Sequence, residues 1–165
     1  MTEKLVCGAV VAALALGGFG LAQAQNGPPP MPAPLIDYHP TMSDLMTAYV
    51  QPRHIKLGLA AKQRNWTYAA YEAFELRGAF NRIQRGVPVF EDHNMGELIA
   101  STVTPPLTMA IAAARAGDAK AFDAAYSEMT KSCNLCHDQF KKAYMVIKEP
   151  TGNQFIDQEF GPVKK

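Results

Sequence analysis

From Thr41 to Met145 the apolar residues recur at three- and four-residue spacing, the period of helices that bury one face. Thr41 or Ser43 can cap a first helix, with Asp44 in its first turn and Leu45, Met46, Tyr49, Val50, His54, Leu57 and Ala61 on one stripe. Pro52 lies inside that stripe, so a kink is expected near Gln51. A polar break at Gln63-Arg64 ends the helix, and Asn65 can cap a second. The second helix carries Trp66, Ala69, Ala73, Leu76, Phe80 and Ile83 as its seam, with Glu72, Glu75 and Arg82 off it. Gly86 and Pro88 break the pattern, and Val87 to Asn94 reads as a loop without a period. Met95 to Val103 is a short helical stretch, and Thr104-Pro105-Pro106 opens a third helix that stops at Gly117. Asp118 can cap a fourth, with Phe122, Tyr126, Met129, Cys133, Cys136 or His137, and Phe140 along its inner face. The expected fold is all-α, a four-helix bundle over residues 41–147.

The flanks differ from this core. Met1 to Ala24 has a lysine at position 4, an uncharged stretch from Leu5 to Leu21 and the triplet Ala22-Gln23-Ala24, which together read as a secretory signal cleaved after Ala24. An uncleaved anchor is the alternative, but the stretch is short for a membrane span and rich in glycine and alanine. Cleavage would remove Cys7 and leave 141 of the 165 residues, enough for one domain with a core of its own. Residues 25–40 form a proline-rich leader, extended and unable to enter a helix or a central strand. Residues 148–165 form a tail, expected to pack loosely on the bundle, with a strap over a cofactor edge or a dimer contact as alternatives.

Charge narrows the partners. Lys and Arg number 16 and Asp and Glu 15, so there is no basic stripe for nucleic acid and no strong field to steer a charged partner.

Candidate chemistry concentrates in Cys133-Asn134-Leu135-Cys136-His137. C-x-x-C-H is the attachment spacing of c-type haem. Each thiol can add across a haem vinyl group to give a thioether, and the adjacent imidazole can reach the iron. Three other readings compete. A thioredoxin-like redox pair wants a neighbouring βαβ pattern, which is missing. Half of a zinc site wants further cysteines or a spaced histidine pair, and His39, His54 and His93 are scattered. A structural disulfide would close too small a loop to add much stability. One covalent haem c held by Cys133 and Cys136, with His137 as proximal iron ligand, is therefore the expected cofactor.

Helical segments with C-x-x-C-H in the last of them resemble the class II c-type cytochromes, the cytochrome c-prime group. The likeness is densest from Leu107 to Phe140, through Ala116-Gly117-Asp118, Phe122, Tyr126, Ser132 to His137, and Phe140. It covers about a fifth of the chain, and the first two helices match only as helices. The resemblance implies haem inside a four-helix bundle, a periplasmic location where the haem is attached, electron transfer to an unnamed redox partner or binding of nitric oxide or carbon monoxide, and a homodimer through the first two helices. It also implies that a first-helix residue stands on the far side of the iron. His54 is the first choice as sixth ligand, because imidazole is a common haem ligand. Met46 is the alternative, and an open iron the third option. His54 also has the ordinary reading of a hydrogen-bonded core histidine, and Met46 that of a gap filler. Arg53, Lys56 and Arg64 are candidates for pairing with propionates. A peroxidase would need a distal acid or base, which only His54 could supply. Electron transfer asks least of the protein, so the expectation is a carrier rather than an enzyme.

Overall fold

A proline in the middle of the first helix shapes how the chain begins. The computed structural model describes residues 38–163; the segment expected to be a secretory signal and most of the expected leader lie outside them. Thr41 caps α1 (Met42–Leu45) with a reciprocal capping box, its hydroxyl accepting from the Asp44 amide while the Asp44 carboxylate accepts from the Thr41 amide. The helix then widens into a π-helical turn, Met46–Val50, before α2 (Gln51–Lys62). Pro52 has no N–H to donate, and its ring would clash with the carbonyl four residues back. The Gln51 amide reaches back five residues to the Met46 carbonyl instead, so the kink expected near Gln51 takes the form of this π turn.

The remaining helices follow the caps. The Asn65 side chain accepts from the Tyr68 amide at the start of α3 (Trp66–Gly86). The segment expected as a loop contains an antiparallel hairpin of β1 (Val89–Phe90) and β2 (His93–Asn94), turned through Glu91 and Asp92, both at positive φ. Asn94 caps α4 (Met95–Thr102), and α5 (Thr104–Ala116) opens on Pro105 and Pro106, the two helices meeting at a bend of 50°. Gly117, in the left-handed region, closes α5, and Asp118 caps α6 (Ala119–Gln139). Among the described residues no single helix is long and apolar enough to cross a membrane.

The fold is all-α apart from that hairpin. Helix α2 packs on α3, α3 on α5, and α5 on α6, with α4 beside α5. The apolar seams meet in one core whose fully buried side chains include Leu57, Leu76, Ile83, Phe122 and Met129. Two expectations need correction. Glu72 is not off the seam but buried, with 1% of its surface exposed, because the Arg53 guanidinium reaches both its oxygens from α2 at 3.1 and 3.2 Å. The tail does not pack loosely. Phe160 is 1% exposed and stacks on Tyr68 at 5.5 Å, and the Asn65 side chain donates to the Gly161 carbonyl.

Candidate haem-attachment site

The chain reverses sharply after α6, and that reversal builds the site. The periodicity of the sequence continues to Met145, but α6 stops at Gln139. Phe140 caps it and Lys141 turns left-handed with φ 55°. The Lys141 amide then donates to Asp138 (2.8 Å) and the Lys142 amide to His137 (2.7 Å). These are the paired bonds of a Schellman stop with lysine where glycine is usual. A turn from Lys142 to Met145 carries the chain back over the last turns of α6.

Cys133, Cys136 and His137 come together on that stretch. Residues three and four apart share a helix face, and both cysteines are free and partly buried. The Cys136 sulfur lies 3.5 Å from the Thr102 hydroxyl of α4. Burial first, and the nearness of Cys136 second, push the Cys133 thiol up to about 12. Cys133 also lies in the last turns of its helix, toward the negative end of the dipole. Both effects oppose a Cys133 thiolate, whereas reactive C-x-x-C pairs sit where a thiolate is favoured.

His137 is oriented by the returning chain. Its Nδ1 lies 2.8 Å from the Met145 carbonyl. A carbonyl can only accept, so Nδ1 carries the proton, and Nε2 of the neutral ring keeps its lone pair. Metal-ligating histidines have this arrangement, with the non-ligating nitrogen donating to a carbonyl or carboxylate. Among the described residues no three His, Cys, Asp or Glu side chains gather as a metal site. A porphyrin would supply four nitrogen ligands to an iron held by His137. The donor set therefore fits haem c: two sulfurs on one face and one imidazole with a free, correctly assigned nitrogen.

His54 stands elsewhere. It is 3% exposed, and its Nε2 is 2.9 Å from the Thr130 hydroxyl. That hydroxyl donates to the Tyr126 carbonyl, so it accepts from His54. The Tyr126 hydroxyl donates to the His54 carbonyl at 2.8 Å and lies 3.3 Å from Nδ1, and the two rings stack at 4.8 Å. Burial lowers the His54 pKa to about 4, so the ring is neutral at ordinary pH. Nε2 is thus committed to Thr130 and the ring to Tyr126, both on α6, with Thr130 about two turns before His137.

Gly58 faces Tyr126 so closely that a Cβ there would lie 2.5 Å from the hydroxyl oxygen. His54 meets Thr130 one turn further along. Four residues down one helix match four up the other, so the pair is antiparallel. Met46 itself begins the π turn and is partly buried against the core.

Other candidates are committed elsewhere. Arg53 serves Glu72, Lys56 lies over the Phe155 ring at 4.6 Å, and Arg64 lies over Trp66 at 5.7 Å. Trp66 packs on Phe122 at the far end of α6. His93 donates from Nδ1 to the Glu91 carbonyl and stands edge-on to Phe140. His39 is exposed. A surface cavity of about 360 Å³ beside the π turn, with Tyr49, Arg82 and Arg85 in its wall, does not include the cysteines or His137.

The sequence pattern missed Asn134 and Met145 as partners of this site. Asn134 falls at a variable position of the pentapeptide, and Met145 contributes a backbone carbonyl, which no side-chain pattern can reveal. Comparison with family models, curated proteins and solved structures gave no match to the chain.

Proposed function

We propose that this chain is an exported c-type cytochrome that carries one covalent haem in a four-helix bundle and transfers electrons in the periplasm. The bundle would be formed by the α1–α2 unit, α3, α5 and α6. The observation that carries the reading is the Nδ1–H bond from His137 to the Met145 carbonyl, beside two free cysteines on the same helix. It leaves Nε2 as the one nitrogen able to bind iron. Cys133 and Cys136 hold the group by adding their S–H bonds across its two vinyl groups, with no leaving group. Bound haem supplies a one-electron iron couple. His137 fixes the proximal side, and the Met145 carbonyl makes its imidazole a stronger donor.

Met46 would be the sixth ligand in this proposal, because the His54 ring is held by Thr130 and stacked on Tyr126. Thioether ligation by Met raises a haem potential. A second reading rests on the same engagement of His54. With that imidazole held back and Met46 only packing against the core, the iron would be open and would bind nitric oxide or carbon monoxide.

The test is the optical spectrum, oxidised and reduced, of protein made in a periplasm that matures c-type haem. The proposal expects covalent haem, a low-spin spectrum that carbon monoxide leaves unchanged, and loss of that spectrum in Met46→Ala but not in His54→Ala. A high-spin spectrum shifted by carbon monoxide favours the open-iron reading. Absence of covalent haem overturns both.

A further inference from the structure

The chain segment that orients His137 is itself held by one side chain. Asn134, inside the pentapeptide, makes a two-point clamp on the backbone of Ile147. Its Oδ1 accepts from the Ile147 amide at 2.7 Å, and its Nδ2 donates to the Ile147 carbonyl at 3.0 Å. The same Nδ2 also meets the Thr130 carbonyl on its own helix at 3.2 Å. The side chain is therefore braced on α6 while it grips the returning strand. Two residues before the gripped position lies the Met145 carbonyl that accepts from His137.

Only a carboxamide completes this clamp. One atom must accept and the other donate, and both Nδ2 contacts are carbonyls. A carboxylate would keep the bond to the Ile147 amide but turn an acceptor toward two carbonyls. A leucine would keep the helix and lose every bond. Without the clamp, residues 142–147 would keep the Schellman stop and the Lys142–Glu91 ion pair at one end and the contacts of Lys62 and Pro150 at the other, with the middle of the stretch released. Tyr144 and Val146 are exposed, so packing does little to hold this stretch.

We infer that Asn134 is a positioning residue for the iron ligand: by clamping Ile147 it holds the Met145 carbonyl on His137 Nδ1 and so fixes the tautomer and basicity of the imidazole. This inference rests on the haem reading for its consequence but not for its geometry. The attachment signature thus carries, between its two cysteines, the residue that orients its histidine. A free variable position would have no such duty.

Two readouts test it. The first is nitrogen NMR of histidine-labelled full-length protein before haem attachment, which reports the tautomer of His137. The native chain should hold the Nδ1–H form. Asn134→Leu and Asn134→Asp should shift it toward the Nε2–H form favoured by free histidine. Lys62→Met, which removes the tail's bond to the Pro150 carbonyl but leaves the clamp, should not. The second readout is the reduction potential of the haem-loaded protein. Loss of the acceptor makes the imidazole a weaker donor, so Asn134→Leu should raise the potential while both thioethers remain. A native tautomer in both Asn134 variants overturns the inference. So does an equal shift in Lys62→Met, which would assign the effect to the tail as a whole. Failure of haem to attach to the native chain would overturn the functional reading while leaving the NMR result to decide the clamp.

Discussion

His54 shows how burial decides what a residue can do. Its ring is sealed between Tyr126 and Thr130 and loses its solvation when charged, which is why its pKa falls from 6.5 to about 4. In the unfolded chain the same ring takes up a proton near pH 6.5. Between those two values the unfolded state binds more protons, so stability is fully present above pH 6.5 and drains away as the pH falls toward 4. The full effect is on the order of 3 kcal/mol. Urea unfolding at pH 7 and pH 4.5 should show this loss in the native chain. His54→Gln, which keeps a polar side chain but cannot titrate, should flatten the difference, and an unchanged slope would assign the loss to other groups.

At the scale of elements, the helix ends show what a sequence can and cannot announce. Three helices stop on a left-handed residue: Gly117 after α5, Arg64 after α2 and Lys141 after α6. Gly117 was legible, because glycine is the default for that conformation. Arg64 was legible only as a polar break. Lys141 was not legible at all, since Phe140, Tyr144 and Met145 prolong the apolar period past the true end. The caps at Thr41, Asn65 and Asp118 were readable because a single side-chain oxygen does the work within three residues. Glu72 was misread for the opposite reason. Its partner Arg53 is on another helix, and a single-helix period cannot show a cross-helix bond. The cysteines and His137 were legible through their spacing, whereas the acceptor for His137 depends on a chain reversal that the periodicity conceals. A residue with a Cβ in the left-handed region carries a cost of about 1 kcal/mol. Lys141→Gly should therefore raise stability by about that amount in denaturant unfolding, less the backbone entropy that glycine adds to the unfolded state. A loss of stability instead would mean that the lysine contributes more than its backbone strain costs.

Across the whole molecule, the C-terminal segment works as a strap pinned at three heights. Asn134 holds Ile147 beside the cysteines. Pro150 lies against Gly58 and Tyr126 at mid-height, with its carbonyl accepting from Lys62. Phe160 stacks on Tyr68 near the start of α3, where Asn65 donates to Gly161. The strap therefore joins the site to the opposite end of α6, and the question is whether its anchors act as one device or separately. Phe160→Ala removes a fully buried ring and should cost about 3–5 kcal/mol. Pro150 stands between Phe160 and Ile147, so loosening of the far end should stop there. The stability losses of Phe160→Ala and Asn134→Leu should then add to within about 0.5 kcal/mol in the double variant, as distant sites without shared partners do. The His137 tautomer should follow Asn134 alone. A double variant that departs from the sum by more, or a Phe160→Ala chain whose His137 changes tautomer, would make the strap a single lever that transmits strain from the far end of the fold to His137.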